Sequence, residues 1–222
     1  MAHAEIRLRG GFIQKVVRVG DTVRRAPRGD MAFIRDLLGK LETAGFSDVP
    51  RWLGTDEKGR EIFTYMEGEV PLNLSHYDDT ALHQAARFVR RYHDATAPFF
   101  AGGLVACHND LSPCNFVFRD GVPSALIDFD SAAKGERIFD LAYAAYMWLD
   151  IGNEDDYTVE EQRRRVTLFA EAYGPEIGVA EMIDMMLVRQ QLLLENDMPS
   201  GIRERVCRWT RQCQKATLKI RG

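Results

Sequence analysis

With 222 residues, 45% of them hydrophobic and 28% charged, the chain has enough apolar material for a sizeable core and divides into one large domain or two small lobes. A net charge of −4 argues against a protein that coats nucleic acid. No apolar run approaches the length of a bilayer, and the start MAHAEIRLRGG lacks a signal-peptide core, so a cytoplasmic location with neither membrane nor nucleic-acid partner is expected. Cys107, Cys114, Cys207 and Cys213 form no C-x-x-C pair and read as free thiols.

From Ile6 to Val23 apolar and polar residues alternate around Gly10-Gly11 and Gly20-Asp21, which predicts two or three short antiparallel strands with tight turns. Strand character continues through Thr22-Val23-Arg24-Arg25. Asp30 reads as the N-cap of a helix whose stripe, Phe33, Ile34, Leu37, Leu38 and Leu41, stops at Gly45. Residues 50–54 and 61–66 read as a second hairpin turned at Asp56 to Gly59. Beyond Pro71 the pattern turns helical, with Leu82, Ala85, Ala86, Val89 and Tyr92 at helical spacing and His93 at the end, where a hydrogen-bonded structural histidine is favoured over an acid-base group. The expected division is a small β-rich lobe over residues 1–70 and a mainly helical lobe over 71–222.

The chemistry concentrates between Ala106 and Ala145. His108, Asp110 and Asn115 form H-x-D-x-x-x-x-N. Phe116-Val117-Phe118 reads as a strand, Asp120-Gly121 as a hairpin turn and Ala125-Leu126-Ile127 as the returning strand. The hairpin brings Asp128 back beside Asn115. An amide and a carboxylate so placed suit Mg²⁺, which takes hard oxygen ligands and keeps several waters while bridging phosphates. Asp110, offset from that pair, can accept the proton of an attacking hydroxyl.

These residues, with Ile127-Asp128-Phe129-Asp130 and Phe139-Asp140-Leu141-Ala142 downstream, resemble the aminoglycoside phosphotransferase and choline kinase family, small-molecule kinases of protein-kinase-like fold. The resemblance implies an α+β, two-lobed architecture with a small antiparallel β lobe and a mainly helical lobe. It implies transfer of the γ-phosphoryl group of ATP to a small-molecule hydroxyl, with Asp110 as catalytic base, Asn115 and Asp128 holding Mg²⁺, and His108 as loop scaffold. By the same resemblance Gly10-Gly11 covers the phosphates, and Arg25, preferred to Arg24, contacts them in place of the family's lysine. Backbone groups near Tyr65 and Met66 hold adenine. The helix after Asp30 should offer an acidic partner to the basic strand residue, with Asp36 and Glu42 as candidates.

Lys134-Gly135-Glu136-Arg137 reads as a polar loop. Asp140 is read as a structural group, capping its helix and bonding the catalytic loop, ahead of a third catalytic carboxylate. Helices are expected at 158–173, 179–195 and 202–221. The acids Glu154, Asp155, Asp156, Glu160 and Glu161 suit either a cationic acceptor or the dipole of the helix they open. The last helix sets seven Lys and Arg residues against Glu204 alone, which reads as a solvated outer face and departs from a carboxylate-rich aminoglycoside site. The alternatives are a nucleotide-binding module with little or no transfer activity and, behind it, a protein Ser/Thr kinase, against which the lack of an A-P-E-like segment counts.

Overall fold

The computed structural model describes residues 4–8, 15–153, 155–196 and 200–222. The first part of the chain builds an antiparallel sheet from β1 (Ile6–Arg7), β2 (Val17–Val19), β3 (Thr22–Arg25), β4 (Trp52–Thr55) and β5 (Glu61–Thr64), in the spatial order β1-β2-β3-β5-β4. Helix α1 (Met31–Thr43) connects β3 to β4. Its side-chain cap is the expected one: the Asp30 carboxylate accepts from the Phe33 N–H at 3.1 Å, meeting one of the four amides that a helix start leaves without partners. Ile34, Leu37, Leu38 and Leu41 face the core, as the 3.6-residue period requires.

Register across β3 and β5 sets Arg25 opposite Glu61. Glu61 is buried, and its two carboxylate oxygens are taken by the Arg35 guanidinium of α1 and by the Trp52 indole N–H, the latter at 2.6 Å. The helix therefore contributes a cation and the sheet the acid, the reverse of the expected arrangement. Asp36 pairs with Lys40 one turn on, and Glu42 with Arg51. Both candidate helix acids are engaged locally, so neither reaches Arg25.

After residue 64 the chain crosses to α2 (Asp79–Thr96), capped by Asp78, whose carboxylate accepts from Ala81 N–H at 2.8 Å. The helix runs three residues past His93, because the His93 ring is buried in the core and bonded there rather than fraying at an end. Strand β6 (Val105–Cys107) leads into the H-x-D loop. It is followed by the hairpin β7 (Phe116–Arg119) and β8 (Val122–Leu126), by β9 (Ala133–Gly135), and by α3 (Arg137–Trp148), α4 (Val159–Tyr173), α5 (Val179–Glu195) and α6 (Ser200–Arg221). The stretch read as a polar loop before α3 is β9, which pairs antiparallel with β6 through Val105↔Gly135, Ala106↔Lys134 and Cys107↔Ala133. A three-residue strand whose partner lies about thirty residues away leaves no local pattern to read.

The helices pack around Phe88, Tyr92, Phe116, Phe129, Trp148 and Phe169, all buried. The basic helix α6 sinks Cys213, Ala216, Thr217 and Ile220 and leaves Arg205, Arg208 and Arg211 outside. No helix among the described residues is long and apolar enough to cross a membrane.

Gly29 couples the sheet to the site. Its φ is +72°, and a Cβ there would lie 2.1 Å from the backbone oxygen of Asp130. Gly29→Ala is expected to destabilise the protein by about 2–4 kcal/mol through backbone strain and displacement of the 128–130 turn. Urea denaturation midpoints measure this, and an unchanged midpoint contradicts it.

Candidate active site

The site is assembled by the hairpin between Asn115 and Asp128. Asp120 and Gly121 both have left-handed backbone, φ 51° and 76°, the geometry of a two-residue turn whose twist matches the strands. Phe116 pairs with Leu126, and the Ile127 N–H donates to the Asn115 carbonyl at 2.9 Å. The ladder thus ends with Asn115 and Asp128 side by side. The non-glycine residues with left-handed backbone among the described residues are Asn109, Asp120, Asp128 and Asp150, and two of them sit next to or within the predicted catalytic set, where such strain concentrates.

A scaffold fixes the loop from below. Asp140, fully buried, accepts from the backbone N–H groups of His108 (2.7 Å) and Asn109 (2.8 Å), and its Oδ2 lies 3.1 Å from His93 Nε2. Burial alone would raise its carboxyl, but the hydrogen bonds and charge from His93 and His108 outweigh that and hold it below the ordinary carboxylate range. Asp140 is thus structural in the sense expected, though it grips the loop without capping α3, whose cap residue is Glu136. His93 is held between Asp140 and the Tyr173 hydroxyl, 2.9 Å away. His108 is also buried, with Nε2 3.0 Å from the Ile127 carbonyl, which ties the loop to the end of the hairpin.

On this base Asp110 projects its carboxylate. The Tyr143 hydroxyl donates to Asp110 Oδ1 at 2.8 Å. Burial, reinforced by the Asp110 charge, pushes that phenol well above its usual range, so it stays protonated and remains a donor. Asn115 Nδ2 donates to the Asp110 carbonyl at 2.9 Å, which turns its Oδ1 outward with no protein partner among the described residues. Asp128 is half exposed, 49% of its side chain. Both face a cavity of about 610 Å³ that is also lined by Arg25, Tyr65, Met66 and Asp110 and walled on its apolar side by Val16, Val23, Phe63, Val117 and Ile127. That volume lies within the usual range for small-ligand sites.

An outward amide oxygen beside a half-exposed carboxylate fits Mg²⁺. Among the described residues no three His, Cys, Asp or Glu side chains converge as a metal cage, so the protein would supply two oxygens and leave the rest to water and phosphate. Asp130, the other acid of the motif, is engaged: Arg25 pairs with it closely, Arg28 lies 3.8 Å away, and Arg25 also reaches within 3.9 Å of Asp128. Burial first and the Asp128 charge second raise the Asp130 carboxyl, with the two arginines opposing.

The sequence profile of the phosphotransferase enzyme family matches residues 73–182. The trifolitoxin immunity protein of Rhizobium leguminosarum bv. trifolii is 33% identical over 196 residues, covering 77% of this chain and 74% of that protein. The chain belongs to the phosphotransferase enzyme family. Solved structures of similar fold include aminoglycoside 2'-phosphotransferase-IIIa with GDP (TM-score 0.57, 14% identity, 100% of this chain and 93% of that one). Another is the streptomycin-ATP-APH(2")-IIa ternary complex (TM-score 0.60, 17% identity, 87% and 84%). A third is macrolide 2'-phosphotransferase MphH from Brachybacterium faecium (TM-score 0.57, 14% identity, 98% and 91%). At these identities the likeness is one of fold, the protein-kinase-like α+β architecture.

Of the residues singled out in this phosphotransferase-family sequence, Asp110, Asn115, Asp128, Arg25, Tyr65 and Met66 line one cavity; Gly10 and Gly11 lie outside the described residues. Arg24, the alternative to Arg25, faces away and pairs with Asp56 at 3.5 Å, as strand alternation requires. The Tyr65 N–H is committed to the Asp21 carbonyl at 2.8 Å and its ring lies under Arg18, so donors for a base at this edge fall to Met66. Burial and the Asp110 charge raise the Cys114 thiol, and burial raises Cys107 further, which leaves neither a ready thiolate. In the acidic segment Asp150 and Asp156 sit against His76, at 2.9 and 3.4 Å, and Glu161 pairs with Arg164 in the first turn of α4. Tyr143 and Arg189 were not legible as site residues: each reads as one more member of a helical face, and only the packing of α3 and α5 turns them toward the loop.

Proposed function

We propose that this protein transfers the γ-phosphoryl group of ATP to a hydroxyl of a small molecule. The observation that carries the reading is the convergence of Asp110, Asn115 and Asp128 with Arg25 on one cavity that Val23, Phe63 and Val117 also line. Arg25 and the Met66 backbone would bind phosphate and base. Asn115 Oδ1 and Asp128 would hold Mg²⁺, which when bound neutralises charge on the phosphates. Gly10 and Gly11 are the residues we assign to covering them. Residues 1–70 then act as the nucleotide lobe and 71–222 as the acceptor lobe. The acceptor oxygen bonds to the γ-phosphorus as the bond to the β–γ bridging oxygen breaks; Asp110 takes the hydroxyl proton and ADP leaves. Tyr143 holds one carboxylate oxygen so that the other faces the acceptor. Modifying a toxic compound is the use we favour, because one relative is an immunity protein.

Isothermal calorimetry with ATP tests the nucleotide half. Mg²⁺ should strengthen ATP binding, and Asp128→Asn should remove at least about tenfold of that gain, the usual scale for a disturbed metal site. Binding indifferent to Mg²⁺ in the wild type counts against the reading. A second reading, a nucleotide-binding module with little transfer, is favoured by Arg25, which stands where the family has lysine and already pairs with Asp128 and Asp130. ADP release across a panel of hydroxyl acceptors separates the two.

A further inference from the structure

One cation beside the proposed base lacks a carboxylate. Arg189 of α5 lies over the Phe139 ring, 4.0 Å from its centroid, and over the Tyr143 ring at 4.8 Å. Its Nη2 donates to the Asn109 carbonyl at 3.1 Å. Its Nε is buried without a hydrogen-bond partner, Nη1 has no protein acceptor, and no carboxylate lies within ion-pair distance, all among the described residues. Tyr143 links Arg189 to Asp110: its ring carries the guanidinium and its hydroxyl binds the carboxylate.

Holding a cation partly out of water without a counter-charge is unfavourable. Two rings and one carbonyl offset part of that cost and fix the plane of the guanidinium. They leave Nη1 and the second hydrogen of Nη2 to meet a carboxylate or phosphate. Trp209 of α6 packs on Tyr146 of α3 with ring centroids 5.6 Å apart, which brings alongside α3 a helix whose Arg203, Arg205, Arg208 and Arg211 are exposed. Asp150 and Asp156 are taken up by His76 and Asn153 and so do not form an open carboxylate cage.

We infer that Arg189 recognises the acceptor, and that the compound phosphorylated here carries an oxyanion, a carboxylate or a phosphate, near its reacting hydroxyl. This rests on the phosphoryl-transfer reading above and narrows it away from polycationic acceptors.

Matched acceptors test it by coupled ADP release. On a three-carbon scaffold these are glycerate, glycerol 3-phosphate and 3-amino-1,2-propanediol; on a sugar scaffold, gluconate, glucose 6-phosphate and glucosamine. The wild type should favour the oxyanion members in kcat/KM on the order of 10- to 100-fold, the scale of a charge-assisted hydrogen bond. Whether the carboxylate or the phosphate member leads identifies the anion. Arg189→Gln should collapse that preference with KM for ATP unmoved, Arg189→Lys should restore part of it, and Arg189→Glu should reverse it. A purely structural arginine would lower both arms together and leave their ratio intact, which overturns the inference. So does a wild-type preference for the amines, or no turnover of any member while Asp110-dependent ADP release into water persists. ADP release indifferent to Asp110→Ala instead removes the phosphoryl-transfer reading itself.

Discussion

Asp110→Ala is expected to lower phosphoryl transfer by about 10²–10⁴-fold, the usual contribution of a positioned general base, while ATP binds as before. The binding half follows from geometry: Asn115 holds the backbone carbonyl of residue 110, not its side chain, so the Asn115–Asp128 pair survives truncation. Stability, unlike binding, should fall. Alanine leaves the buried Tyr143 hydroxyl without its acceptor, a loss of about 1–3 kcal/mol. Asp110→Asn separates the two effects, because its carbonyl oxygen still accepts from Tyr143 but cannot take a proton from an alcohol. Near-normal folding with lost turnover in Asp110→Asn, measured by urea denaturation and by ADP release, is the expected pair of results. Turnover near the wild-type rate in either variant contradicts the role.

Asp140→Ala should be the most damaging change to the fold. It strands the buried His108 N–H, the part-buried Asn109 N–H and the His93 ring in one step, and breaking such a network costs about 3–5 kcal/mol. The carboxyl also gives stability a direction with pH. Folded, it binds its proton more weakly than an unfolded aspartate, whose value is about 3.9. Its contribution is therefore complete above that value and is lost as the pH falls through the lower folded one. Denaturation midpoints from pH 3 to 7 should show an acid-side decline in the wild type that is smaller in Asp140→Asn; equal declines would contradict the account.

What could be read from the residues was whatever local chemistry dictates. The Asp120-Gly121 turn demands left-handed backbone and so fixes the hairpin, and with it the neighbourhood of Asn115 and Asp128. Asp30 caps the helix that follows it, because an oxygen at that position meets an orphan amide wherever the helix sits. What escaped was set by contacts distant in the chain. The β6–β9 ribbon, the Arg35–Glu61 pair and the approach of Arg189 to residue 109, 80 positions away, each depend on how elements pack. Asp36 and Glu42 failed as partners for Arg25 because Lys40 and Arg51 lie nearer to them.

The β6–β9 ribbon has a consequence for control. In many kinases the segment after the metal-binding aspartate is a long loop that swings between idle and working positions when phosphorylated. Here that interval is a short 3-10 turn, Phe129–Ser131, followed by a strand stitched to β6 directly ahead of the catalytic loop. With β9 paired to β6, the backbone after Asp128 is held by hydrogen bonds to the strand before His108, which leaves little slack between residues 129 and 135 for a swinging segment.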